Sequence, residues 1–452
     1  MAIATINRFI SLFSDAFRAL SVDVPVVDVE RMAMLIHHSM DHGRRTYHTS
    51  THVFDMCEGM NPRQVLATLF HDIVYYQLDG GFPKSAEALL KRVVRAERDV
   101  LEVRPVDGSD KGYTVCTGIF GFQAGQALPL YGGMNEFLSA MVAIRTLEPY
   151  LAMADIIAIA ACIESTIPFR VNNAAGRDTF DVLADRVSEV SVKMELQLTG
   201  EELARVVTDA VVMSNHDVAS FSEADPGRFL STTWLLIEES NAPLAAVGIY
   251  SIQEYRGALS RMEKFLGSLN PESIFHSYKG TPGEFEFGVL REAARRNVDF
   301  ACKYLGMKIV GIAIVEALAQ ATGGDCPVSM LLDDIRSPYG KPDRVEDFLP
   351  SAPPTDESKL DAQLLGVLEK GRAKESASDL TASPLTAFVY RSLGDEGTLH
   401  ALEQAKKMFA GELPARDFLG GLERETVRSL TQACAHIAIS RREALLALVQ
   451  SL

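Results

Sequence analysis

Apolar residues along the chain recur mainly at intervals of three and four, as in Val65, Leu66, Leu69 and Phe70, or Val427, Leu430, Cys434 and Ile437. That is the period of a helix with one buried face. Alternating strand patterns are scarce and no fixed-period repeat is evident, which removes solenoids and propellers. The pattern predicts an all-α fold, a helical bundle with additional C-terminal helices. Near the start, Ile6, Phe9, Ile10, Phe13, Phe17 and Leu20 share a helical face, but Arg8, Asp15 and Arg18 interrupt any signal-peptide core, so an amphipathic packing helix is expected. The most apolar internal run, Leu151 to Ile163, contains Asp155 and is too short to span a bilayer.

Punctuation divides the chain. Proline and polar residues gather in Ser337 to Ser358 and again in Gly371 to Pro384, so the segment 337–384 reads as linker-rich. Upstream, 1–270 holds all the candidate chemistry, and 271–336 reads as further helices, including the apolar run Lys308 to Ala321, whose membership of the first domain is left open. The stretch 385–452 is expected as a small helical module whose apolar face packs back on the body or, as the second option, on another copy in a homo-oligomer. The TGGDCP segment, 322–327, reads as the stop of the preceding helix.

Composition narrows the classes. With 452 residues, 47% hydrophobic and 23% charged, the chain is an ordinary globular protein. Its net charge of -16 argues against general nucleic-acid binding, which relies on clustered Lys and Arg. Six scattered cysteines without a CxxC pair read as reduced, mostly buried thiols. A cytoplasmic protein without membrane association is expected.

The chemistry concentrates in two segments. RRTYHTSTH places His48 and His52 four apart, which on a helix puts both imidazoles on one face. The apolar stretch VLATLF then runs directly into His71 and Asp72, so a buried helix delivers two potential ligands at its end. YHTSTH followed by LATLFHDIVY, with Ser85 and Ala86 beyond, resembles the HD superfamily of metal-dependent phosphohydrolases, and more distantly the cyclic-nucleotide phosphodiesterases, over about a quarter of the chain. The resemblance implies that His52, His71 and Asp72 bind metal, that a later aspartate completes the set, and that His48 acts as proton donor. Asp217, in MSNHDVASF, is the chosen last ligand and Asp209 the runner-up; His216 beside it reads as a surface or helix-terminal residue. The implied cofactor is a divalent ion, Mn, Fe, Zn, Co or Mg, as one or two ions with Asp72 bridging. The implied partner is a small phosphorylated substrate, in the first instance a nucleotide or cyclic nucleotide, hydrolysed by metal-activated water. For its phosphate, Lys84 ranks ahead of Arg170, Arg44 and Arg45, each of which is more often a solvated surface residue.

Three departures from that family's pattern favour a second reading, a catalytically degenerate chain that binds a nucleotide-like ligand or a protein partner. GGFPKSA has Phe82, Pro83 and Lys84 where relatives carry Asn-Glu. IESTIPFR has Phe169 where a histidine is common, with Glu164 as a compensating group. The interval from Asp72 to Asp217 implies an insertion at about 92–145, expected to shape or cover the pocket. A helical scaffold with purely structural histidines is the third alternative. Elsewhere, GIFGFQAG (118–125) lacks a Walker lysine and reads as a closely packed loop, while Asp333 with Asp334 and Glu238 with Glu239 read as solvated acidic pairs.

Overall fold

A computed structural model describes residues 4–451 except 42, 98–99, 106–108, 173–175, 333–342, 352–356, 375 and 377. The fold is all-α; among the described residues, the only sheet is one two-stranded hairpin. No described helix is long and apolar enough to cross a membrane. All six cysteines are free and five are buried.

The chain forms two compact units, 1–222 with 270–294, and 223–269 with 295–452. This division differs from the sequence expectation, which drew a border near 270 and set 385–452 apart. Helices at 223–269 and 385–452 share the second unit's core, and local sequence pattern carries no sign of such a long-range pairing.

Unit 1 contains α1 (Thr5–Ala19), α2 (Val26–Met40), α3 (Ser50–Met56), α4 (Pro62–Phe70), α5 (Tyr76–Asp79), α6 (Glu87–Val93), the hairpin β1 (Val94–Glu97) and β2 (Val100–Val103), α7 (Lys111–Phe120), α8 (Met134–Leu147), α9 (Met153–Ser165), α10 (Thr179–Lys193) and α11 (Gly200–Asp217). Its axis is α9, the apolar run noted above, buried without interruption from Ile156 to Ser165 and surrounded by α4, α7, α8, α10 and α11. A helix apolar on every side belongs inside a bundle. Asp155, the run's one charge, accepts from Arg63 Nε at 2.6 Å. The amphipathic α1 buries Phe9, Phe13 and Phe17, and Phe13 meets Phe70 of α4 edge-on at 5.8 Å. The hairpin pairs antiparallel, Val94 with Val103 through Glu97 with Val100.

Unit 2 contains α12 (Pro226–Glu239), α13 (Ile252–Ser268), the greater part of the 39-residue α14 (Glu284–Thr322), α15 (Ser329–Leu332), α16 (Ala362–Lys370), α17 (Pro384–Phe409), α18 (Ala415–Gly420), α19 (Arg424–Ile437) and α20 (Arg442–Ser451). The expected stop after α14 is present: Gly323 and Gly324 take positive φ and the Gly324 N–H donates to Ala319 O at 2.9 Å.

Two expectations about polar segments are corrected. The stretch 371–384 is no linker: Arg372, Ser376, Ser378 and Ser383 are buried, and Glu238 accepts from both the N–H and hydroxyl of Ser378 at 2.6 Å. Glu238 is therefore engaged and Glu239 buried, not a solvated pair. Asp333, Asp334 and much of 337–358 lie outside the described residues.

Candidate metal centre

The sequence builds α4 with sharp ends. Asn61 caps it reciprocally with Gln64, Pro62 occupies the first turn, and every residue from Gln64 to Phe70 is buried. His71 follows as its C-cap, only 1% exposed. The His71 Nδ1–H donates to Thr68 O at 2.8 Å, which reserves Nε2 as the ligating nitrogen once a cation displaces its proton. Nε2 comes within 2.8 Å of Asp72 Oδ2 without a hydrogen-bond geometry.

The backbone around Asp72 is held from two sides. Buried Arg45 donates to the Asp72 carbonyl at 2.7 Å and grips Asp79 with two bonds of 3.0 and 2.6 Å. From α8, Ser139 Oγ accepts the Val74 N–H and Asn135 Oδ1 accepts the Tyr76 N–H, both at 3.1 Å. The expected insertion at about 92–145 therefore contains a core helix that anchors the loop carrying the His-Asp pair. Arg45 likewise serves that loop and not a substrate phosphate.

The other donors arrive from two further helices. His52 lies on α3, and α11 delivers Asp217 as its last residue. His52 Nε2 is 3.2 Å from Asp217 Oδ1 and 3.8 Å from Asp72 Oδ2, and His71 Nε2 is 3.8 Å from Asp217 Oδ1. An ion with ligands at about 2.1 Å sets neighbouring donors about 3 Å apart and opposite ones about 4 Å apart. The spacing suits one cation. His52 Nε2, His71 Nε2 and Asp72 Oδ2 are buried without a hydrogen-bond partner among the described residues. Three orphaned atoms converging on one point are what a divalent ion would satisfy. The C-termini of α4 and α11 meet here too, and helix C-termini favour positive charge.

Electrostatics agree with this geometry. Burial opposes charge on His71, but Asp72, Asp217 and the Thr68 carbonyl outweigh it and raise its pKa to about 9. Burial also opposes charge on Asp72, yet His71, His48 and His52 hold its carboxyl well below the usual range. Position separates the two aspartates, with Asp217 beside the imidazoles. Asp209 stands two turns earlier on α11, beside Asn61 and Arg63 at the other end of α4, and is distant from the imidazoles. His216 is partly buried near Asp217, where burial lowers its pKa.

His48 is not on the helix of His52. Thr49 is the extended N-cap of α3, so His48 precedes the first turn, and the expected shared helical face does not form. Its ring still stands 6.0 Å from that of His52, between Tyr47 and Tyr75 at 4.8 and 5.0 Å.

The phosphate candidates fare differently. Lys84 is exposed on the loop before α6, with no described contact to the donors. Arg170 makes a twofold contact with buried Glu164, at 2.6 and 3.1 Å, and Arg186 adds a third bond to the same carboxylate. Glu164 thus serves a local ion cluster. Phe169 adopts φ 56° and packs edge-on against Phe221.

Sequence reasoning missed Glu136, on the first turn of α8. Burial, then the charges of Asp72 and Asp217, push its carboxyl up to about 7, while Arg170 pulls the other way. An acid in the first turn of a helix is ordinary, so MNEF carried no signal. His276 was missed as well: its N–H donates to Asn215 Oδ1 and its carbonyl accepts from Asn215 Nδ2, both at 2.8 Å, which fastens the segment 270–294 to the helix of Asp217. No family model, curated protein or solved structure matches this chain.

Proposed function

We propose that unit 1 is a divalent-metal phosphohydrolase centre of the HD type, acting on a small phosphorylated molecule of the nucleotide class. The observation that carries this reading is the convergence of two orphaned imidazole nitrogens with Asp72 and Asp217 at distances that suit a single ion. The residues fit the group: neutral nitrogen and anionic oxygen donors accept Mn, Fe, Zn, Co or Mg. His52, His71, Asp72 and Asp217 would hold it, and when bound it would supply an acidified water and charge neutralisation at the phosphoryl oxygens.

The chain's own residues account for the rest. The Thr68 carbonyl keeps His71 in the ligating tautomer, and Arg45 fixes the backbone on which Asp72 stands. His48, which precedes α3 and is flanked by two tyrosine rings, would pass a proton to the leaving oxygen. The Glu136 carboxyl, which feels the charges of Asp72 and Asp217, would be a second acid-base group.

A second reading, ligand binding without hydrolysis, is favoured by one observation: both terminal nitrogens of Arg170 are committed to Glu164, leaving only the buried Nε without a partner among the described residues. One experiment separates the two. Elemental analysis of the purified chain is followed by assay with Mn, Co and Zn on a nucleotide panel and an aryl phosphodiester. Turnover lost in both His71→Ala and Asp72→Ala supports hydrolysis. Metal retained with every substrate intact favours the binding reading, and no metal in the wild type sinks both.

A further inference from the structure

Unit 2 contains a charged cluster far richer than a helical core needs. The apolar run of α14 includes one lysine, Lys308, whose ammonium donates to Asp379 Oδ2 at 3.0 Å and to Ser383 Oγ at 3.1 Å. Arg372, with no exposed side-chain surface, donates to the same Asp379 oxygen at 3.0 Å and lies 3.9 Å over the ring of Trp234. Asp379, Arg372 and Ser383 all belong to the 371–383 loop, which is pinned to α12 by Lys374 N–H to Ser231 Oγ at 3.0 Å and by the Glu238 bonds. Loops run over surfaces because their backbone polar groups are hard to satisfy inside. Buried ion clusters, moreover, contribute little net stability compared with apolar packing.

Beside this cluster is a pocket of about 90 Å³, bordered by Tyr250, Tyr255, Lys308, Asp379, Ser383 and Arg344 among others. Three observations define what it would accept. First, the unpaired buried side-chain atoms of unit 2, among the described residues, are Tyr255 Oη, Trp234 Nε1 and Arg372 Nε and Nη2. Of these residues Tyr255 alone lines the pocket; the indole and guanidinium atoms, which can only donate, belong to the adjoining cluster and leave it short of acceptors. Second, the core of the cluster has two cations, Lys308 and Arg372, for one carboxylate, Asp379. At the rim burial raises the pKa of the Glu346 carboxyl, while the charges of Arg344 and Lys308 oppose the shift. Third, the volume exceeds the roughly 10–15 Å³ that a single water needs on the same measure, so there is room for one small oxyanion head.

We propose that unit 2 carries a ligand site of its own, in which this pocket takes the oxyanion head, carboxylate or phosphate, of a small molecule. Tyr255 donates its hydroxyl hydrogen to the head, Lys308 neutralises it, and Asp379 holds Lys308 in place. The site is independent of the metal centre in unit 1.

The test is calorimetric titration of the full-length Asp72→Ala chain in chelator, which removes competition from unit 1, with inorganic phosphate and with malonate as probes. Saturable binding of one ion per chain is expected for at least one probe; phosphate alone identifies a phosphate head and malonate alone a carboxylate. Adding Tyr255→Phe is expected to weaken that binding by about tenfold or more. Because the hydroxyl has no partner, the ligand-free melting temperature stays within a few degrees. Lys308→Met abolishes binding, and the tyrosine variant decides the matter if that protein fails to fold. Absence of saturable binding of either probe, as in a pocket filled by water alone, overturns the proposal, and so does unchanged affinity in Tyr255→Phe.

Discussion

Arg45 does more for the metal centre than its place in an exposed-looking RRTYH segment suggests. Its guanidinium closes on Asp79 with two bonds and on the Asp72 carbonyl with a third, so it sets the path of the chain between two ligand-bearing elements. Arg45→Met would strip the Asp79 carboxylate of both guanidinium bonds. A loss of about 3–5 kcal/mol in urea denaturation is expected, with a roughly 10–100-fold weaker metal affinity in chelator competition. His276 makes a different residue-scale prediction. Burial, then the neighbouring Arg170, depress its pKa from 6.5 to about 4, while Asp178 opposes the shift. The unfolded chain therefore binds the extra proton first as the solution is acidified. Stability from this group is fully present above about pH 6.5 and is lost as pH falls toward about 4. Partial exposure holds the effect to about 2 kcal/mol. His276→Gln is expected to show a smaller drop in urea midpoint between pH 7 and pH 4.5 than the wild type.

At the scale of elements, α8 is the helix whose contribution the chain order conceals. It lies in the interval that local patterning reads as an insertion, yet it packs on α9 and α4 and supplies Ser139 and Asn135 to the His-Asp loop. Ser139→Ala leaves the buried Val74 N–H without its acceptor. About 1–3 kcal/mol of stability should be lost, together with a measurable drop in metal occupancy. The first two glycines of GIFGFQAG belong to the end of α7, Gly118 in its last turn and Gly121, at φ 68°, as its C-cap, while Gly125 lies in the turn beyond. A Cβ on Gly118 would stand 2.4 Å from a methyl of Val190 on α10. Alanine gains about 1 kcal/mol in helix propensity, but the clash with a stiff β-branched neighbour outweighs it. Gly118→Ala should therefore destabilise the protein by roughly 1–2 kcal/mol net in thermal or urea unfolding.

For the whole molecule, the division into two units predicts that damage stays local. Asp379→Ala would strand Lys308 and Arg372 without their shared carboxylate, at a cost of about 3–5 kcal/mol. Limited proteolysis should then cut first within 223–269 or 295–452, while metal content per chain stays at the wild-type level. A parallel loss of metal would contradict independent units.

Local order along the chain determined a good deal. The helical period gave the all-α class, the buried helix ending at His71, the amphipathic first helix and the stop after Thr322, because each depends on residues within one or two turns. The positions of His52, His71 and Asp72 were legible through a resemblance in two short segments and that of Asp217, with Asp209 as its rival, through its place after an apolar helical stretch, and tertiary structure brings the four sets of donor atoms together. Tertiary structure alone decided the rest. Glu136, Ser139 and Asn135 reach the site because α8 packs on α9, and Arg45 points inward because Asp79 waits 34 residues away. The polar 371–384 stretch reads as linker until α12 and α14 supply Glu238 and Lys308 as its partners. Sequence pattern reports burial through apolar periodicity; a polar group buried by a distant partner leaves no period, so only the fold reveals it.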